Sequence, residues 1–411
     1  MANQDKCRHC GARIEQTLVD LGSSPLCNTL LSEDRLEAAE SFYPLHTRVC
    51  GNCFLVQVGE FVSPEEIFSE YSYFSSFSAS FVEHARLFVE SAVDRFALNP
   101  DSLVMEIASN DGYLLQHFLP HDIPVLGIEP AENVAEAARE RGVRSVCRFL
   151  GSDSALELTA EYGHADLVVA NNVIAHTPFL NDFVLGISRL LKPDGVVSIE
   201  FPQLSRMLSD SLYDMIYHEH FSYFSLYSIE KVLASQGLTV FDAEKIDTHG
   251  GSLRVSACAS ERPRDPTERL LEVRSEESQD GISVLETYSH FRPRVEKTKR
   301  DLLRTLISLR EQGKDIVGYG VPGKGNTLLN YCGIRSDFLT YMVDRNPYKQ
   351  GKYTPGTRIP IFPVEKIAET KPDFILIMPW NLKDEIAEQL SYTRDWGCKF
   401  IVPLPNVEVI E

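Results

Sequence analysis

Leu103-Val-Met-Glu-Ile-Ala-Ser-Asn-Asp-Gly112 is the stretch whose reading decides the fold. Leu103 to Ala108 is apolar but for Glu106, as expected of a strand buried on both faces of a parallel sheet. Ser109-Asn-Asp-Gly112 then makes a tight turn toward a helix expected to start near Tyr113. Downstream, Pro124-Val-Leu-Gly-Ile-Glu129 reads as a second strand. Ala165-Asp-Leu-Val-Val-Ala170 reads as a third, running into Asn171-Asn-Val-Ile-Ala-His176, and Gly195-Val-Val-Ser-Ile-Glu-Phe201 as a fourth. Strands that alternate with helices predict an α/β, Rossmann-like domain that takes its ligand at the carboxyl ends of the strands.

The turn indicates which nucleoside would sit there. A dinucleotide asks for G-x-G-x-x-G, so that bare backbone can approach the pyrophosphate. Here Gly112 stands alone, Ser109 and Asn110 fill positions that a diphosphate would want empty, and Asp111 would repel it. A phosphate-free cofactor, S-adenosylmethionine, suits the pattern better. Its sulfonium is a cation and its ribose wants an acceptor, which Glu106, Asp111 and Glu129 offer. Pro130, Asn171 and Asn172 complete the expected cofactor pocket.

Cys7-Arg-His-Cys10 and Cys50-Gly-Asn-Cys53 are two C-x2-C knuckles, the spacing with which four thiolates close one tetrahedral Zn2+ site. A site with four protein ligands leaves no open position, so the expected zinc is structural. His9 and His46 are alternative ligands. Cys27 stands alone among apolar neighbours and reads as a small core residue. The segment from Pro64 is rich in Tyr, Phe and Ser, and Tyr71 and Tyr73 suit either a wall facing a polar ligand or a seam between domains.

Composition narrows the function. With 411 residues, 43% hydrophobic and 24% charged, the chain should form two or three globular units. Its net charge of -19 disfavours extended nucleic-acid binding, though a local cationic pocket could still hold a small anion. No window approaches the roughly 20 apolar residues that span a bilayer, and the first residues lack an export signal, so neither membrane nor secretion is expected and the location should be cytoplasmic.

Four separated motifs carry a resemblance: Ile107-Ala-Ser-Asn-Asp-Gly112, Gly127-Ile-Glu-Pro130, Ala170-Asn-Asn-Val-Ile-Ala-His176 and Tyr217-His-Glu-His-Phe-Ser222. With the zinc knuckles, they make the chain resemble the S-adenosylmethionine-dependent sugar C-methyltransferases of deoxysugar biosynthesis, over essentially its whole length. Cys27 departs from that pattern, where a small non-thiol residue is expected. The resemblance implies a nucleotide-linked 4-keto-deoxysugar as substrate and C3 as the methylated carbon.

Tyr217-His-Glu-His220 is the densest cluster of titratable groups in the chain. Methylation at carbon needs a carbanion equivalent, and a ketone beside that carbon lowers its cost as an enolate. Histidine is the base suited to neutral pH. His220 is the expected base, Glu219 a partner for a substrate hydroxyl or amine, and Tyr217 a donor to the enolate oxygen. His176 is the second candidate base. His218 and His220 lack the spacing of the H-E-x-x-H zinc motif. Thr248-His249-Gly-Gly-Ser-Leu-Arg254 fits close backbone approach to a ligand or a tight hairpin equally well.

After a charged helical stretch, expected to be a linker with a long solvated helix, a second alternating pattern begins. Its strands are Asp315 to Gly320, Tyr341 to Asp344, Phe374 to Met378 and Lys399 to Val402. Val321-Pro-Gly-Lys-Gly-Asn-Thr327 forms a Gly-rich turn opening a helix from Leu328 to Tyr331. Gly325 after Lys324 removes the hydroxyl that a P-loop needs. The spacing of Gly318, Gly320 and Gly323, with Asp344 closing the next strand, leaves an NAD site as the alternative reading: an oxidoreductase acting on a nucleotide sugar. The resemblance implies instead that this domain helps to hold the sugar nucleotide, with Lys324, Asn326, Lys349 and Lys352 as candidate contacts.

The expected architecture is a zinc-binding domain over 1–75, a methyltransferase domain over 76–260 and a second Rossmann-like domain over 261–411. A zinc-dependent assembly module with an inert methylase-like fold would explain the first domain but not the acids and histidines of the second. The sequence sets no oligomeric state, and a monomer is compatible with it.

Overall fold

Three sheets organise residues 5–68 and 74–411, the part of the chain that this computed structural model describes. β1 (Gln16–Ser24), β2 (Tyr43–Val49) and β3 (Val56–Val58) form an antiparallel meander. The knuckle Cys50 to Cys53 is the turn between β2 and β3. The central sheet contains β4 (Val104–Ile107), β5 (Val125–Glu129), β6 (Ser145–Cys147), β7 (Ala165–Asn171) and β8 (Leu191–Pro202), all parallel to their neighbours in this set. The short β9 (Ser222–Tyr223) leaves that sheet and pairs antiparallel with β3. The hairpin β10 (Leu238–Ile246) and β11 (Ser252–Ala259) then returns, giving the order β10-β11-β8-β7-β4-β5-β6 with β11 antiparallel to both neighbours.

Every residue of β4 and β5 is buried, as a parallel sheet covered on both faces requires. The α/β, Rossmann-like expectation holds, but the helix expected near Tyr113 does not form. Two short 3-10 turns, Leu115–His117 and Leu119–His121, stand in its place. The turn itself is left-handed at Ala108, Asn110 and Gly112, with φ of 53°, 50° and 76°. Gly112 is needed here on two counts, its positive φ and a Cβ that would lie 3.0 Å from Val143 Cγ2.

The third sheet comprises β12 (Ile316–Tyr319), β13 (Met342–Val343), β14 (Ile361–Phe362), β15 (Phe374–Ile377), β16 (Lys399–Val402) and β17 (Glu408–Ile410). Their order is β14-β13-β12-β15-β16-β17, parallel except for the last pair. The helix after β12 runs Gly323–Cys332, so the glycines are part of it rather than a turn before it, and Lys324 and Asn326 lie in its first turn. The charged segment folds into helices that include Glu268–Gln279 and Phe291–Glu311. The latter is not simply solvated: Phe291, Val295, Leu302 and Leu306 are fully buried.

One continuous core joins the outer units. It contains Leu18 and Val56 of the first sheet, Tyr213 and Ile216 ahead of the Tyr217 block, Phe291 of the long helix and Leu328 and Met342 of the third sheet. Burial on this scale holds the parts in one arrangement, at about 25 cal/mol per Å2 of apolar surface removed from water. Among the described residues, no helix is long and apolar enough to cross a membrane.

Candidate active site

At the carboxyl ends of β4, β5 and β7 the chain turns its polar side chains inward and leaves many of them unsatisfied. Glu106 is fully buried, and burial, with Glu129 and Asp111 nearby, pushes its carboxyl well above the ordinary carboxylate range. Among the described residues Glu106 Oε2, Ser109 Oγ, Asp111 Oδ1, Asn171 Oδ1 and both amide atoms of Asn172 are buried without a hydrogen-bond partner. Buried polar atoms are nearly always paired, so this cluster has capacity set aside for a ligand. Glu129 is partly committed: its oxygens accept from the Asn110 and Ala131 backbone N–H groups at 2.9 Å each, and burial still raises its pKa. Pro130 follows it, its carbonyl accepting the Cys147 thiol at 3.1 Å. Acceptors at the end of β5 and unspent amides at the end of β7 fit the ribose and the methionyl part of S-adenosylmethionine.

Asp111 has a partner that the sequence did not reveal. Arg141 lies 2.7 Å from Asp111 Oδ2, and its other Nη donates to Ser76 Oγ at 2.8 Å. Ser76 in turn donates to Asp111 Oδ2, and Ser75 N–H donates to Asn110 Oδ1 at 2.9 Å. The segment 74–78 is thereby strapped over the turn. Its far side meets the third sheet, where the Phe74 and Tyr348 rings stack with centroids 6.1 Å apart. Tyr71 and Tyr73 lie outside the described residues.

The Tyr217 block folds back against the end of β7. Phe221 N–H donates to Ala175 O at 2.7 Å, and the His176 and His220 ring centroids lie 4.8 Å apart. Since a carbonyl can only accept, Met215 O at 3.0 Å holds the hydrogen on His220 Nδ1. Nε2 is therefore the basic atom, and it accepts from Tyr217 Oη at 2.7 Å. His176 is half-buried, and desolvation of its ring holds its pKa down at about 4 despite a bond to the Glu219 backbone, so the ring is neutral.

Glu219 is buried, and burial raises its pKa against the hydrogen bonds of Asn28 and Cys27. Asn28 Nδ2 donates to Glu219 Oε1 at 2.7 Å and the Cys27 thiol to the same oxygen at 3.5 Å. Both come from the segment between β1 and β2. His218 turns away, its Nε2 donating to Pro44 O at 3.3 Å. No local signal could have found Asn28, because 191 positions separate it from its partner. Arg141 was more accessible, as a cation just beyond the helix that follows the Glu129 strand.

The third sheet presents a different turn. Asp344 accepts from Val321 N–H and Asn346 N–H at 2.8 Å each, and Lys349 Nζ donates to Val321 O at 2.8 Å. Asp344 thus carries the same pair of backbone bonds as Glu129, so the acid alone does not separate this turn from the first. Asn326 Nδ2 donates to Cys27 O at 2.6 Å and Thr327 to Ile216 O at 3.0 Å, tying this helix to the other two units. Lys324 Nζ bonds Asn381 Oδ1 and lies 4.3 Å from the Trp380 ring centre, and burial lowers its pKa to about 8 although Asp214 opposes this. Asp214 accepts from Trp380 Nε1 at 2.6 Å, and burial raises it to about 6. The Lys352 side chain has no hydrogen bond or ion pair among the described residues. The Gly250-Gly251 turn left open above is explained by packing, since a Cβ on Gly250 would lie 2.4 Å from the Trp380 ring.

The four cysteine sulfurs of the two knuckles lie within 4.8 Å of one another. Cys7 and Cys53, and Cys10 and Cys50, are 3.5 Å apart, close to the ~3.8 Å edge of a tetrahedron with Zn–S of ~2.3 Å. The thiolates fit a structural zinc. Neither alternative ligand joins them: His9 Nδ1 faces Asn181 Oδ1 at 3.0 Å and His46 Nε2 faces Thr17 Oγ1 at 2.9 Å.

Comparison with known proteins agrees with this arrangement. Three family models match: a zinc binding domain over residues 7–68, a methyltransferase domain over 81–243 and a C-methyltransferase C-terminal domain over 247–405. C-methyltransferase NovU of Streptomyces niveus is 35% identical over 406 residues, 99% of this chain and 97% of that protein. Among solved structures, an S-adenosylmethionine-dependent methyltransferase from Clostridium acetobutylicum is 14% identical with a TM-score of 0.35, covering 43% of this chain and 92% of its own. The S-adenosylmethionine complex of magnesium protoporphyrin IX methyltransferase from Synechocystis is 14% identical with a TM-score of 0.36, covering 49% and 100%. Likenesses of that size carry no argument about the chemistry.

Proposed function

The chain belongs to the family of S-adenosylmethionine-dependent C-methyltransferases, and we propose that it methylates C3 of a nucleotide-linked 4-keto-deoxysugar through an enolate, with His220 as the base. The observation that carries the reading is the fixed tautomer of His220, whose Nδ1–H is held by Met215 O while Nε2 faces the Tyr217 hydroxyl. A neutral imidazole can take a proton from carbon at Nε2 once the phenol turns its hydrogen from that nitrogen to the developing enolate oxygen, where it donates a hydrogen bond. Neutral His176 beside it adds a second polar ring without a second positive charge. Glu219, anchored by Asn28, faces the same block and orients a substrate hydroxyl or amine. Bound S-adenosylmethionine supplies an electrophilic methyl at the end of β4, where Glu129, Ser109, Asn171 and Asn172 would hold it.

The sugar nucleotide is assigned to the side of the third sheet, where Lys349 and Lys352 belong to the loop whose Tyr348 stacks on Phe74 and Lys324 lies deeper, against Trp380 and Asn381. Those cations offset the acidity of the chain at the one place where a diphosphate must approach. Both substrates would be held by separate units, so that proximity supplies much of the rate. The cytoplasm, where nucleotide sugars are made, is the proposed location.

The test is exchange. With a 4-keto sugar nucleotide and S-adenosylhomocysteine in D2O, the protein should introduce one deuterium beside the ketone, and His220→Ala should not. Exchange that survives in His220→Ala would remove the base from this account. Mass spectrometry over a panel of nucleotide-linked 4-keto sugars identifies the substrate through the mass gained when CH3 replaces H.

A further inference from the structure

We infer that Arg8, between the thiolates of the first zinc knuckle, is a positioning residue that holds the Tyr217–Phe221 block against the end of β7. The inference rests on the reading of His220 as the base.

Arg8 reaches out of the metal knuckle into the region around the histidines. Its backbone N–H and Nε donate to Gln57 Oε1 at 3.2 and 3.1 Å, and Nη2 donates to Val58 O at 2.5 Å. Gln57 and Val56 of β3 pair with Ser222 and Tyr223 of β9, directly after His220 and Phe221. The guanidinium carbon also lies 5.5 Å from the centre of the Phe221 ring. Phe221 is thereby fixed at three points. Its ring lies under Arg8, its carbonyl accepts from Val58 N–H at 3.1 Å, and its N–H reaches Ala175 O at 2.7 Å. The last of these bonds joins the neighbour of His220 to the neighbour of His176.

The other residue inside the knuckle serves the opposite side. Asn181 accepts from His9 Nδ1 at 3.0 Å and donates to His9 O at 2.8 Å, at the start of the helix Leu180–Leu190 that follows His176. The two residues between the thiolates therefore grip both chain segments that carry the facing imidazoles. A knuckle that only closed a metal site would not need an arginine that bridges β3 and the Phe221 ring. Arg8 Nη1 has no hydrogen-bond partner among the described residues, so the guanidinium is held there at a cost.

Displacing a catalytic group by about 1 Å costs on the order of 10²-fold in rate. Zinc-loaded Arg8→Ala should accordingly lose about 10- to 100-fold in kcat, with KM for both substrates and S-adenosylhomocysteine affinity within about threefold of wild type. Zinc content, read by atomic emission, should stay at that of wild type. Hydrogen exchange in the peptide 216–224 should speed up several-fold, and Arg8→Lys should recover part of kcat by keeping the cation over Phe221. A folded, zinc-loaded Arg8→Ala with unchanged kcat and unchanged exchange overturns the inference. So does a parallel loss of kcat and cofactor affinity, which marks general destabilisation. If Arg8→Ala does not fold, Gln57→Ala, which removes the acceptor of Arg8 Nε, decides: about threefold or more lost in kcat with faster exchange in 216–224 supports the inference, and wild-type values refute it. If His220→Ala still turns over, the base assignment falls, whereas exchange in 216–224 still decides for or against Arg8.

Discussion

Two turns in this protein follow the same local plan, a short parallel strand whose carboxyl end meets a Gly-containing loop, yet they differ in what they leave unspent. At Ser109 to Gly112 the serine hydroxyl, one Asp111 oxygen and the amides of the neighbouring Asn172 are buried without partners among the described residues. At Gly320 to Thr327, Asp344 is taken by two backbone N–H groups, Lys349 by a carbonyl, Lys324 by Asn381, and Thr327 by Ile216, with Asn326 Oδ1 the exception. The first turn keeps buried polar atoms unspent among the described residues, whereas the second spends most of its own on the seam between units. Gly-rich punctuation marks both, so hydrogen-bond accounting tells a cofactor turn from a structural one better than motif spacing does.

The largest test of this contrast lies on the open side. His220→Ala should cut methyl transfer by about 10²- to 10⁴-fold, with S-adenosylhomocysteine affinity by calorimetry within a few-fold. Loss of both together would make the histidine a piece of scaffold and weaken the contrast. The pH dependence of stability comes next. His176 titrates at about 4 in the folded protein against an ordinary value of 6.5, so between those values the unfolded chain binds more protons. Its contribution is complete above pH 6.5 and is lost as pH falls toward 4. The difference between wild type and His176→Gln in denaturant-derived stability should change by about 3 kcal/mol between pH 7 and pH 4. A difference that does not vary with pH would mean that the ring is not buried neutral.

The two acids at comparable strand ends give the sharpest comparison. Glu129→Ala should weaken S-adenosylhomocysteine binding about 10- to 100-fold, the worth of a hydrogen-bonded charged group. Asp344→Ala frees two loop N–H groups, as Glu129→Ala does, and should lower the melting temperature while leaving that affinity within about twofold. Measurable NADH binding that Asp344→Ala abolishes would reverse the assignment of the two turns. The smallest effect is expected at the seam, where Gly250→Ala should cost about 1–3 kcal/mol by forcing Trp380 aside, with little change in KM for the cofactor.

Much of this was legible before folding. The runs at 104–107, 125–129 and 165–171 could only be buried parallel strands, because apolar residues stand there without alternation. The two C-x2-C pairs announced a metal site by spacing, and the Tyr217 block announced itself by density of titratable groups. What misled was local: a helix was expected after Gly112, where two short 3-10 turns stand, and the helix Gly323–Cys332 begins inside glycines that read as a turn.

The periodic elements, the metal ligands and the chemical types available for catalysis follow from residues adjacent in the chain, since each is a property of near neighbours. Only the tertiary structure decided that β9 completes the first sheet, that Arg8 lies against Phe221, that Asn28 holds Glu219 and that Arg141 answers Asp111. Those pairings join residues far apart in the chain and form when burial removes the water that would otherwise satisfy them. Before that burial, an arginine between two cysteines and an asparagine in a loop have no reason to prefer these partners over solvent.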